Sequence, residues 1–280
     1  MTGPNLHLDD TLGCVLVGAL LSAVLYGCAC SQSIFYLWNY RNDKISIKCL
    51  VAILWLLDTA QNMISCQSIW YYFVQNRGDI IGIMSLVPTF GAWQLVLSMT
   101  ELAVHCFFIS NIWRLMTNKW IRIPLTMAVA SLCLTSFIMN ILLVRKRWNM
   151  HYMAELEAEV KVNTFANLAS TLASDTVISV SLAYILHRSR TGFRRTESII
   201  TKLVIYSANR GVIIFIVQLF VLVAYFWVQD NRLVVMILYM PLGDVYTNTS
   251  LAILNARRHV TASSYALSEI GRSIEMPTED

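Results

Sequence analysis

Apolar residues run through this chain in blocks of about 20, the length that crosses the hydrocarbon of a bilayer as an α-helix. That is far beyond the roughly 4–8 residues of a buried strand. A helix is the form such a block must take, because lipid offers no partner to a bare N–H or C=O. Hydrophobic residues are 56% of the 280 positions and charged residues 14%, well below the roughly 25% charged content of a soluble domain. With short connectors, a chain of 280 residues has room for about seven spans.

The spans fall at about 12–38, 47–73, 88–115, 123–144, 163–186, 199–228 and 233–254. The expectation is an all-α polytopic membrane protein, a seven-transmembrane-helix bundle occupying residues 12–256. Residues 1–11 would form an extracellular N-terminus, and the first span would stay uncleaved, since no Lys or Arg precedes it. Residues 257–280, rich in Ser and Thr and acidic at the end, would form a disordered cytoplasmic tail. Pro241 and Gly243 would kink or break the last span. In span 1, Gly18 and Ser22, and Ala23 and Gly27, are four apart, so small residues line a face that another helix can approach closely. The connector 145–162 carries Met150, Met153, Leu156 and Val160 at helical spacing. It reads either as an amphipathic helix on the membrane surface or as an outward extension of span 5.

Positive charge sets the direction of the spans. The densest basic run, 187–202, holds Arg188, Arg190, Arg194, Arg195 and Lys202 between two apolar blocks, and such runs are retained in the cytoplasm. With the N-terminus outside, the inner connectors and the tail hold fourteen of the 21 Lys and Arg, while the outer segments hold six. The remaining one, Arg210, lies within span 6. The basic loop would face anionic lipid or a cytoplasmic protein. Thr196 beside it is a candidate phosphosite, whose modification would weaken attraction to lipid.

Six ionisable side chains lie near the middle of spans: Asp58, Glu101, His105, Asp175, Arg210 and Asp244, with Asn248 nearby. A charge at the bilayer centre costs at least ~2.5–3.5 kcal/mol, so these groups turn inward and find partners. Spans 2, 3, 5, 6 and 7 would therefore surround one shared polar interior, with span 4 facing lipid. Glu101 and His105, four apart, share a helix face and could share a proton. Arg210 would pair with Asp175 or Asp244. Trp55, Trp93, Tyr206 and Tyr239 read as packing residues rather than a ligand cage.

Several functions are disfavoured. A retinal protein needs a lysine in its last span, and none follows Lys202. Only His105 of the five histidines lies at mid-depth, so no metal site is expected. The seven cysteines all fall inside apolar blocks, as small packing residues rather than a disulfide framework. No phosphate loop or nucleophile elbow occurs, so no catalytic residue, cofactor or enzymatic activity is expected. The basic residues cluster at span ends, which speaks for a bilayer partner and against nucleic acid.

The chain resembles the uncharacterised seven-span membrane proteins of mushroom-forming fungi, a family known only as a domain of unknown function. The resemblance covers about residues 13–257. It rests on Leu25-Tyr26-Gly27 with Gln32, Leu57-Asp58, Phe107-Phe108 with Ile112-Trp113, and Asp175. It continues through Ser189-Arg190-Thr191-Gly192-Phe193-Arg194-Arg195-Thr196, then Tyr246, Asn248 and Leu254-Asn255-Ala256-Arg257. The chain departs from the family pattern at Arg210, where Thr is usual, and at Asn111, where Arg is frequent. The resemblance implies the fold and assigns no activity.

Three functions remain in view. The first is a receptor- or sensor-like protein of the plasma membrane, with a polar intramembrane pocket for an unknown small-molecule ligand. The second is a proton- or cation-coupled transporter using the mid-membrane carboxylates. A non-catalytic scaffold is the third.

Overall fold

The computed structural model describes residues 8–76, 87, 89–116, 118–148, 153–188, 194–227 and 232–256. Within these, the side chains of 8–11, 147–148, 153–161, 186–188, 194–209, 226 and 232–233 stand outside the description. Six long helices come first: α1 (Leu8–Asn39), α2 (Ile45–Trp70), α3 (Phe90–Leu115), α4 (Lys119–Trp148), α5 (Met153–Arg188) and α6 (Arg194–Trp227). A π-helical turn, Tyr71–Gln75, prolongs α2. A 3-10 turn (Arg232–Val235) then leads into a single turn of helix, α7 (Met236–Tyr239). The backbone is interrupted at 240–241, and α8 occupies residues 242–256. Pro241 accounts for the break: it has no N–H to continue the ladder, and its ring crowds the preceding turn.

Among the described residues, five helical stretches are long and apolar enough to cross a membrane: Leu12–Asn39, Ile45–Gln75, Phe90–Leu115, Lys119–Lys146 and Val162–Ile185. Arg210–Tyr225 is a shorter apolar stretch. Neighbours in sequence pack as neighbours in space from α1 to α6, except that α3 also touches α5, and the turn at 232–239 closes the ring against α1. The helices overrun the expected spans. α5 begins at Met153, so the outward-extension reading of the 145–162 connector is the one seen. The basic run 187–202 is mostly helix, with α5 reaching Arg188 and α6 starting at Arg194. Arg, Lys and Glu are good helix formers, so both helices continue past the apolar blocks. Residues 1–7, 189–193 and 257–280 lie outside the described residues, and so do the expected cytoplasmic tail and most of the expected extracellular N-terminus, of which residues 8–11 belong to α1.

The bundle is apolar on its outer surface. Leu20, Val24, Met63, Met127, Val180, Val212 and Ile216 are exposed, while Ser, Thr, Asn, Gln and acidic side chains fill much of the interior. This suits a hydrocarbon solvent, in which apolar surface has nothing to hide from and polar groups must find partners inside. The Gly18–Ser22 face of α1 meets another segment closely: a Cβ added at Gly18 would lie 2.5 Å from the Met236 carbonyl oxygen. The Ala23–Gly27 face is different, because nothing approaches within 4 Å of such an atom at Gly27. None of the seven cysteines forms a disulfide, and only Cys14 and Cys133 are buried. Cys28, Cys49, Cys66 and Cys106 are exposed, which overturns their reading as packing residues; hydrocarbon accepts a thiol as readily as the core does.

Helix α8 is the centre of the assembly. No residue from Met240 to Ala256 is exposed. Its apolar side chains join two separate packing groups. Leu242, Tyr246 and Ile253 pack with Trp93, Phe108 and Ile214, whereas Leu251 and Leu254 pack with Ala29, Tyr36 and Val51. The bundle therefore wraps a helix that carries Asp244, Asn248 and Asn255.

Candidate functional site: buried polar clusters around a central helix

Polar residues recur three and four apart on α2, so that Asp58, Gln61, Asn62, Ser65 and Ser68 form one buried stripe along a single helix face. This stripe meets α8. The Asp244 carboxylate accepts hydrogen bonds from Asn62 Nδ2 (2.8 Å) and from Ser22 Oγ of α1 (2.5 Å). Asp244 also stands in the first turn after the Pro241 break, where the helix dipole favours negative charge. Asp58 lies against Asp244 and Thr247 and interacts with both side chains, yet no donor reaches its carboxyl oxygens with full hydrogen-bond geometry among the described residues. Asp58, Asp244, Thr247 and Ser22 are fully buried.

The same face continues down α8. Asn248 Nδ2 donates to the Leu25 carbonyl (2.8 Å), and Gln32 Nε2 donates to Asn248 Oδ1 (3.0 Å). Asn255 Nδ2 donates to the Gln32 carbonyl (2.9 Å), and Tyr40 Oη to the Asn255 carbonyl (2.8 Å). Gln61 Nε2 reaches the Met240 carbonyl (3.2 Å), one of the acceptors beside the break. It can do so because Gly243 has no side chain: a Cβ there would overlap the Gln61 amide.

A second cluster lies on the other side of α8 and is built on Asp175 of α5. His105 Nε2 of α3 is 3.2 Å from Asp175 Oδ1, and the Arg210 guanidinium of α6 is 3.7 Å from the same oxygen. Asp175 Oδ2 accepts from Gln218 Nε2 (3.1 Å) and from the Tyr246 hydroxyl of α8. Arg210 also lies over the Phe108 ring, with Cζ 3.9 Å from the centroid, a cation–π contact. Glu101 is buried one turn before His105, close enough to both His105 and Asp175 to feel their charges. The hydrogen bond of His105 goes to Asp175.

A third cluster contains no ionisable group. Gln94 Nε2 donates to Asn140 Oδ1 (2.8 Å), and Asn140 Nδ2 donates to Asn167 Oδ1 (3.1 Å). Ser136 sits between Asn167 Oδ1 (2.9 Å) and Thr171 Oγ1 (2.5 Å). It ties α3, α4 and α5 together.

The single shared interior expected from the sequence is thus divided. Glu101, His105, Asp175 and Arg210 gather at one cluster, while Asp58 and Asp244 face each other at another. The reason is α8, which stands between them and presents Asp244 and Tyr246 to different neighbours. Arg210 pairs with Asp175 and not with Asp244. Helix α1 contributes Ser22 and Gln32 to the interior, and α4 contributes Ser136 and Asn140, although neither helix was expected there. The signal for the third cluster was present: Ser136 and Asn140, like Asn167 and Thr171, are four apart in apolar blocks. Being uncharged, they carry none of the insertion cost that marks an ionisable group in an apolar block. Trp93 packs edge-on to Tyr239 (5.3 Å between centroids) and stacks on Phe90, whereas Trp55 lies at the surface. Tyr206, Arg188, Arg190, Arg194, Arg195, Thr196 and Lys202 have side chains outside the described residues.

An all-helical bundle with an apolar exterior, five membrane-length helices and buried ionic clusters defines a multi-pass integral membrane protein. Residues 171–259 match the model of a family of unknown function, DUF6534. That stretch is about a third of the chain and runs from the third cluster through Asp175, Arg210 and the whole of α8. No curated protein and no solved structure matches the chain.

Proposed function

We propose that the chain is a receptor- or sensor-like membrane protein that crosses the bilayer seven times and catalyses no reaction. In this reading α6 and the broken segment at 232–256 supply the sixth and seventh spans. The charge bias along the sequence puts the N-terminus outside and the C-terminus in the cytoplasm, and the plasma membrane is the proposed location. The observation that carries the reading is α8: a helix without an exposed residue that is hydrogen-bonded through Asp244 to α1 and α2, and through Tyr246 to α5. A rotation or slide of α8 that disturbs one cluster disturbs the other. A small molecule that binds one arrangement better than another therefore shifts the whole bundle. The basic stretch at 187–202, with Thr196 as its phosphosite, is the proposed contact with anionic lipid or a cytoplasmic partner.

A second reading, a proton- or cation-coupled transporter, is favoured by the Asp58–Asp244 pair, which has no ion-pair partner among the described residues. Two measurements on the full chain separate the readings. Screening small molecules by thermal melting in nanodiscs should give saturable stabilisation by at least one compound, and proteoliposomes should show no proton or solute flux. A flux that disappears in Asp58→Asn or Asp175→Asn would overturn the sensor reading.

A further inference from the structure

Two carboxyl groups buried face to face in a bundle interior require compensation, and each acid here finds a different amount of it. Asp244 is compensated: two hydrogen-bond donors reach its oxygens, Ser22 Oγ at 2.5 Å and Asn62 Nδ2 at 2.8 Å, and it sits at the start of a helix. Asp58 is not. Its oxygens lie against the Asp244 carboxyl and the fully buried Thr247 hydroxyl, but no donor among the described residues reaches them, or that hydroxyl, with full hydrogen-bond geometry. A buried polar atom without a well-formed partner costs ~1–3 kcal/mol, and more when charged, so the two Asp58 oxygens and the Thr247 hydroxyl have room for a further partner.

We propose that Asp58, Asp244 and Thr247, with Ser22 and Asn62, form a binding site for one dehydrated monovalent cation of sodium size. Asp58, Asp244, Thr247 and Ser22 offer oxygen alone, and Asn62 brings its Oδ1 to 3.4 Å from Ser22 Oγ; such a set suits a hard cation and excludes a soft transition metal. Two carboxyls face each other and well-formed donors reach only Asp244, so one monovalent cation in place of a shared proton balances the pair. Mg2+ keeps several waters when bound, and Ca2+ takes 6–8 oxygens. Neither fits a cluster in which Ser22, Asp58, Asp244 and Thr247 have no exposed surface. The ligands come from α1, α2 and α8, so a bound ion fastens the central helix to the first two spans, next to the discontinuity at Pro241. The site stands whether the protein senses or transports, because it concerns binding at equilibrium and not flux.

The test uses the purified full chain in nanodiscs, with NaCl exchanged for choline chloride at constant ionic strength. Sodium should raise the melting temperature saturably, by roughly 5 °C at a hundredfold excess over Kd, and radioactive 22Na+ should bind at about one ion per chain. Asp58→Asn should abolish both effects while melting at or above the wild-type temperature in choline, since it removes the uncompensated charge. Asn140→Ala, in the third cluster, should keep the sodium response. Should Asp58→Asn fail to fold, Thr247→Val takes its place: weakened 22Na+ binding supports the site, and unchanged binding overturns it. Equal melting of the wild type in NaCl and choline chloride, or an equal sodium response in wild type and Asp58→Asn, also overturns it.

Discussion

Replacing Asp175 by Asn preserves the shape of the side chain and removes its charge, which isolates what that charge does. The carboxylate accepts from His105, Gln218 and Tyr246 and lies 3.7 Å from Arg210, whose side chain is 2% exposed. Were Asp175 merely a neutral acceptor between helices, the loss would follow the interhelical hydrogen bonds measured in bilayers, which average ~0.6 kcal/mol and reach ~1.7. As the counter-charge of a buried guanidinium, it is worth more: removing one partner of a buried pair costs about 3–5 kcal/mol. The expected loss for Asp175→Asn is therefore about 3 kcal/mol or greater. Arg210→Met should also destabilise, by leaving Asp175 with one cationic partner fewer. The double variant should recover part of the combined loss, with a coupling energy of about 2 kcal/mol. Equilibrium unfolding in mixed micelles of increasing SDS content, followed by the fluorescence of the eight tryptophans, measures all four proteins. A loss below about 1 kcal/mol for Asp175→Asn, with additive single variants, would refute the ionic account of the second cluster.

The same assay checks three further expectations. Gly18→Ala should cost roughly 1–3 kcal/mol, because its methyl would meet the Met236 carbonyl oxygen at 2.5 Å, whereas Gly27→Ala, with nothing within 4 Å, should be neutral or slightly stabilising. Asn140→Ala removes bonds to Gln94 and Asn167 and should cost about 1–2 kcal/mol, while Met127→Ala, on the lipid-facing side of the same helix, should change stability far less. Gly243→Leu should displace the Gln61 amide from the Met240 carbonyl and destabilise more than Gly27→Leu. Epitope tags at the two termini should be reached from opposite sides of intact cells, the N-terminal one from outside; a C-terminal tag accessible outside would reverse the proposed orientation.

The amount that could be read from the sequence differs from one feature to another. Apolar blocks of membrane length announce helices, and Pro241 announces the break in the last one, since both follow from backbone hydrogen bonding alone. Arg210 could be given an acidic partner, Asp175 or Asp244, because an unpaired guanidinium in hydrocarbon is so costly, but only the packing selects Asp175. What sequence spacing cannot supply is the rotation of each helix about its axis. Asp244 and Tyr246 are two residues apart and so point some 200° apart, yet only the packed bundle shows that Asp244 meets α1 and α2 while Tyr246 meets α5. For the same reason the interior looked like one chamber when it is several clusters around α8. The helices start at 153 and 194, outside the apolar blocks, because charged residues that belong in water can still continue a helix.

The account rests on α8 being enclosed by the other helices, and lipid contact tests that without altering a residue. Lipids carrying a photoactivatable carbene on the acyl chain label whatever side chains touch the hydrocarbon, and mass spectrometry locates the labels. Labelling should concentrate on exposed apolar positions such as Met127, Leu134, Val180, Val212 and Ile216 and be absent from residues 242–256. Labels in 242–256 at the level seen on α4 would place that helix against lipid and contradict the account.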